Sequence, residues 1–133
     1  MKRRRVEHSL QRAAVDYLSA AIAPPGICRD GSMWHAVDHA NARDARAGAE
    51  RKGRGVVAGI ADLLLIRGGR LHGIELKAGR GKQSRAQVDY MYALIAAGGT
   101  YAVVRDLADL EFALRSWGVP LRASLLPLRR TAA

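Results

Sequence analysis

The chain has 133 residues, and its 22 Lys plus Arg against 12 Asp plus Glu give a formal charge of +10. A hydrophobic fraction of 49% argues against a disordered chain, and a single Cys, Cys28, excludes an internal disulfide framework. No run approaches the ~20 apolar residues that a spanning helix needs, so no membrane association is expected.

The length suits one domain over residues 1–120, with a basic tail over 121–133. One Cys fits a reducing compartment, so a cytoplasmic location is expected. Met1-Lys2-Arg3-Arg4-Arg5 resembles the n-region of a signal peptide. Glu7, His8, Gln11 and Arg12 then stand where an apolar stretch should follow. The charge suggests a polyanionic partner, most often nucleic acid. An Arg-rich soluble protein from a GC-rich coding background would have the same composition.

Val6, Leu10, Ala13, Ala14, Tyr17, Leu18 and Ala21 recur at helical spacing, which predicts a helix over 6–22. Ala23-Pro24-Pro25-Gly26 ends it. Met33 to Ala40 is the next strand candidate. Residues 41–55 are rich in Gly and Arg and read as a loop with room for one short helical turn. Ile60 to Ile66 and Leu71 to Lys77 read as strands joined by a Gly68-Gly69 hairpin turn. Ala78 to Gln83 is a basic loop. Ser84 opens a helix whose Ser84-Arg85-Ala86-Gln87 start fits a capping box. Val88, Met91, Tyr92 and Ile95 form its stripe, and Gly98-Gly99 stops it. Thr100 to Val104 is a strand, and Asp106 caps a last helix with the stripe Leu107, Leu110, Leu114 and Trp117. The tail carries no assigned role; dimer contact and disorder are both open. The order α-β-β-β-α-β-α predicts an α/β fold, a mixed sheet with helices on its faces.

The placement of acids is informative because they are few. Asp62 lies inside an apolar run, and Glu75 and Lys77 alternate with Ile74 and Leu76, so both point to one face of their strand. Across a Gly68-Gly69 hairpin, paired positions sum to about 137. Asp62 and Glu75 sum to 137, which sets them opposite each other on one face. Two carboxylates whose Cβ atoms are ~5 Å apart repel unless a cation lies between them. Mg²⁺ suits that place, because it takes oxygen ligands and commonly uses one or two carboxylates plus substrate phosphate. Lys77 on the same face is placed to orient or help deprotonate an attacking water and to offset charge on phosphorus. Together these are the parts of phosphodiester hydrolysis. Glu-x-Lys by itself is common on solvated strand faces, and Asp62 alone could be a turn or edge acid. An unpaired buried carboxylate is expensive, and that tilts the reading toward a site.

The stretch Gly55-Val56-Val57-Ala58-Gly59-Ile60-Ala61-Asp62-Leu63, then Ile74-Glu75-Leu76-Lys77, then Gly81 with Ser84 and Gln87, resembles the VRR-NUC domain of the PD-(D/E)XK nuclease superfamily. The resemblance runs from about Glu7 to Trp117 and implies that superfamily's α-β-β-β-α-β core. It implies metal ligation by Asp62, Glu75, the Leu76 carbonyl and Glu7, and catalytic roles for Asp62, Glu75, Lys77 and Gln87. Asn41 resembles an Asn that precedes the Gly-rich loop. Ala61 stands where the superfamily name has Pro, a residue that shapes backbone and carries no chemistry. Gln87 is also the expected reciprocal partner of Ser84 in the capping box. The implied function is a Mg²⁺-dependent DNA endonuclease, with Mn²⁺ able to substitute. The implied setting is phage or bacterial replication and repair, acting on duplex or branched DNA such as four-way junctions and leaving a 5′-phosphate. A homodimer is expected by analogy.

Two basic stretches flank these residues. Arg51, Lys52 and Arg54, with Arg43 and Arg46, precede Asp62; Arg80, Lys82 and Arg85 follow Lys77. Both are placed to grip phosphates beside a cut. Few aromatics are present, which disfavours a base-stacking platform. Gly79-Arg80-Gly81-Lys82-Gln83-Ser84 resembles part of a P-loop but lacks the upstream Gly and the Ser or Thr after Lys. His35 and His39 lack the Glu of a zinc helix, and read as ordinary histidines. Two other functions fit the charge: a non-catalytic nucleic-acid-binding module on the same fold, and a basic RNA-associated protein. A sequence-specific restriction-type nuclease would use the same chemistry.

Overall fold

The computed structural model describes residues 2–39 and 45–124. Asn41, Arg43 and residues 125–133 of the basic tail lie outside them.

The elements run α1 (Lys2–Ala21), β1 (Ser32–Ala36), α2 (Ala45–Gly53), β2 (Leu63–Arg67), β3 (Arg70–Leu76), α3 (Arg85–Ala96), β4 (Thr100–Val104) and α4 (Leu107–Ser116). The four strands form one sheet in the order β1-β2-β3-β4. β1, β2 and β3 are antiparallel neighbours, and β4 joins β3 in parallel. The fold is therefore α/β with a mixed sheet flanked by helices, as expected. The parallel pair needs a crossover, and α3 supplies it.

Strand alternation divides the sheet into two unlike faces. Leu63, Leu65, Ile74 and Leu76 point to the face that α1 and α4 cover, where they meet Leu18, Trp34, Leu110 and Leu114 in the main core. Each large side chain buried there contributes roughly 1.5–3 kcal/mol. Trp34 lies in this core with its indole N–H donating to the Ala23 carbonyl at 2.7 Å, so burial leaves no donor stranded. α3 covers the other face and buries no residue completely.

Several boundaries differ from those the sequence predicts; α1 begins at Lys2, four residues early. Residues 45–53 form a helix, where the sequence suggested a loop. Three alanines among Arg, Glu and Lys are good helix formers, and they outweigh Gly48. β1 stops at Ala36, and β2 begins at Leu63, three residues later than the apolar run implied. The reason lies in how Asp62 spends its hydrogen bonds. The short segment after α4 is fastened to the body: Arg122 N–H donates to the Ala21 carbonyl at 2.8 Å, and its guanidinium lies 3.5 Å from Asp30.

Candidate active site

The β2–β3 hairpin turns at Gly68 and Gly69, both with positive φ (57° and 74°), as a two-residue turn matching strand twist requires. Its pairs run from Arg67↔Arg70 to Leu63↔Ile74, each summing to 137. The ladder ends one pair short of Asp62 and Glu75. There the Asp62 carboxylate takes over from the backbone: Oδ2 accepts the Leu76 N–H at 2.8 Å. The Asp62 carbonyl accepts the Val37 N–H at 2.9 Å. Asp62 is thus fixed at the open end of the hairpin, just before β2.

Glu75 sits beside it on β3 with 2% of its side chain exposed. Gln87 Nε2 donates to Glu75 Oε1 at 2.7 Å, the Tyr101 hydroxyl donates to Oε2 at 3.3 Å, and Lys77 Nζ lies 3.6 Å from Oε1. Burial foremost, then the neighbouring Asp62 charge, pushes the Glu75 carboxyl up to about 7, while Lys77 pulls it down.

Gln87 makes the capping contacts and also hydrogen-bonds Glu75. Its Oε1 accepts the Ser84 N–H at 2.8 Å, Ser84 Oγ accepts the Gln87 N–H at 3.2 Å, and its Nε2 remains to donate to Glu75. The helix cap therefore sets the rotamer that reaches the carboxylate. Gly59 lets α3 sit this close. It has φ +81°, and a Cβ there would fall 2.3 Å from the Ala86 carbonyl and 2.6 Å from Gln87 N.

Three residues in this network carried no sequence signal. His39 Nε2 lies 3.4 Å from Asp62 Oδ1. It arrives there because the Val37–Asp62 backbone bond carries the chain past the end of β1. Tyr101 reaches Glu75 only because β4 pairs in parallel with β3, which places Tyr101 beside Gly73. Gln83 Nε2 donates to the Tyr101 hydroxyl at 3.2 Å. None follows from spacing; each needs the sheet order.

The residues fit a hard divalent cation in one respect. Among the described residues no three His, Cys, Asp or Glu side chains converge as a closed metal cage. Mg²⁺ does not need one, since waters and a substrate phosphate complete its shell. Asp62 and Glu75 are the carboxylates present. Glu7 lies in α1, and its side chain is outside the described residues.

The basic residues fall into two groups. Arg51, Lys52 and Arg54, with Val37, His39 and Val57, line a cleft of about 830 Å³, and His39 links that cleft to Asp62. Arg80 and Lys82 are exposed on the loop after Lys77. Arg105 Nη1 donates to the Gly79 and Gly81 carbonyls at 2.8 and 2.9 Å and pins that loop to the end of β4. Arg85 pairs with Asp89 at 3.2 Å, one turn on, in an exposed contact worth little. No helix among the described residues is long and apolar enough to cross a membrane.

No family model matches the sequence, and no curated protein matches it. A solved structure described as a VRR_NUC domain protein is similar in fold, with a TM-score of 0.62 over 84% of this chain and 87% of that one, at 19% sequence identity. The helices and the mixed sheet that hold Asp62, Glu75, Lys77 and Gln87 thus form an architecture shared with a VRR_NUC domain protein.

Proposed function

We propose that this chain is a divalent-metal-dependent DNA endonuclease of VRR-NUC type. One observation carries the reading: a nearly fully buried Glu75 lies against Asp62 and 3.6 Å from Lys77, at the open end of a hairpin in that fold. A purely structural role would favour an apolar residue at such a position, because a buried ion pair rarely gains stability over one.

Asp62 and Glu75 are the residues that would hold Mg²⁺ or Mn²⁺, with the Leu76 carbonyl and Glu7 as further ligands by resemblance. When bound, the ion supplies Lewis acidity toward a phosphate oxygen and a water. Lys77 orients the attacking water and offsets negative charge on the phosphoryl group. Gln87 holds the Glu75 carboxylate in place. Arg51, Lys52 and Arg54 on one side, and Arg80, Lys82 and Arg85 on the other, bind the backbone phosphates. The product carries a 5′-phosphate. Duplex or branched DNA, four-way junctions included, is the substrate class, and a two-fold junction suits a homodimer. Phage or bacterial DNA replication and repair, in the cytoplasm, is the setting.

The test is a cleavage assay on linear duplex, flap and four-way-junction DNA, using wild type and Glu75→Ala with Mg²⁺, Mn²⁺ or EDTA. Wild type should cut only with metal, and Glu75→Ala should lose at least about 100-fold in rate. Tight binding without cutting under every metal would move the reading to a binding module. Preference for structured RNA, with no effect of Glu75→Ala, would move it to an RNA-associated protein.

A further inference from the structure

Glu75 is reached from two directions, and Gln87 accounts for only one. The other begins at Tyr101 in β4. Its ring lies close over Gly73: a Cβ there would come within 3.1 Å of Tyr101 Cδ2, so a side chain at 73 would press the ring outward by a few tenths of an ångström. Its hydroxyl donates to Glu75 Oε2 at 3.3 Å and accepts from Gln83 Nε2 at 3.2 Å. Gln83 is the last residue of the loop that carries Arg80 and Lys82. That loop is held by Arg105, and β4 therefore holds both the carboxylate and the loop, through Tyr101 and Arg105.

Resting on the nuclease reading above, we infer that Tyr101 is a positioning residue for Glu75, and that Gln83 ties this positioning to the basic loop. The chemistry is that of an outer hydrogen bond to a ligating carboxylate. Gln87 fixes Oε1 and Tyr101 fixes Oε2, so the carboxylate plane cannot rotate about its last bond. A phenol suits Oε2 because it keeps one donor for the carboxylate while accepting from Gln83. Without the hydroxyl, Glu75 keeps its place in β3 and loses its fixed plane. Metal affinity and the chemical step weaken together, while phosphate contacts made by Arg80 and Lys82 stay as they are.

The experiment compares wild type, Tyr101→Phe, Gln83→Ala and the double variant in three measurements. These are Mn²⁺ binding by electron paramagnetic resonance, the kcat and KM of DNA cutting, and thermal unfolding. Tyr101→Phe keeps the ring over Gly73, so unfolding should stay near wild type. Its Mn²⁺ dissociation constant should rise roughly tenfold and kcat fall by a similar factor, with KM unchanged. Gln83→Ala should move the same quantities less, and the double variant should be no worse than Tyr101→Phe alone, since Gln83 acts through Tyr101. Wild-type Mn²⁺ affinity and kcat in Tyr101→Phe would overturn the inference while leaving the nuclease reading intact. Additive losses in the double variant would overturn the link to the loop. A wild type that neither binds Mn²⁺ nor cuts would overturn the nuclease reading, and this inference with it.

Discussion

At the scale of single residues, Glu75 is costly to keep charged, because it is buried beside another carboxylate. Burial, and then the Asp62 charge, push its carboxyl up from the ordinary 4.5 to about 7. The folded chain thus holds a proton between about pH 4.5 and 7 that the unfolded chain has released. The stability this proton gives is fully present below about 4.5 and is lost as pH rises through about 7. Glu75→Gln mimics the protonated form at every pH. In EDTA, the variant should melt above wild type at pH 8, by on the order of 5 °C, and close to it at pH 5. A gap that does not grow with pH would contradict the assigned burial and crowding. Much of this site is legible in the sequence. Alternation places Glu75 and Lys77 on one face, and the hairpin sum brings Asp62 beside them. Tyr101, Gln83 and His39 are not legible, because each joins the site through a strand partner that local spacing does not reveal.

At the scale of elements, the hairpin and α3 are written plainly in the chain, whereas α2 and the start of β2 are not. Gly68-Gly69 and the Ser84/Gln87 cap are local signals with local consequences. The start of β2 depends on the non-local bonds of Asp62 to Leu76 and Val37, so an apolar run from Ile60 misplaces it. The apolar-poor segment 45–53 hides a helix, since its hydrophobic pattern is weak while its helix propensity is not. Gly59 joins these elements. Its φ of +81° and its contact with the start of α3 mean that any side chain is both strained and obstructed by backbone. Gly59→Ala should cost about 2 kcal/mol or more in urea unfolding. It should also displace Gln87 from Glu75 and lower the cutting rate even where the variant remains folded. Gly55→Ala, also at positive φ but with open space around its Cβ, should be the milder change and leave the rate nearly untouched.

At the scale of the whole molecule, the +10 charge matters by where it lies. β1 pairs with β2 so that Ser32 and Arg67 mark the turn end of the sheet, while Ala36 and Leu63 mark the end that holds Asp62. Arg29 and Arg70 stand at the turn end; Arg51, Lys52 and Arg54, lining the cleft that His39 joins to Asp62, and Arg80 and Lys82, on the loop after Lys77, stand at the site end. If the site end alone grips the phosphate backbone, salt should reveal it. Each neutralised phosphate adds about −0.9 to the slope of log K against log salt, so six contacts would give a slope near −5. The non-cutting Glu75→Ala chain, held in EDTA with duplex DNA, isolates this term from cleavage. On that background, removing both Arg80 and Lys82 should make the slope shallower by about 2, whereas Arg29→Ala should leave it unchanged. Equal losses from both ends would mean that the charge acts as a diffuse field, and the two basic groups beside Asp62 and Glu75 would then owe their position to solubility rather than to DNA.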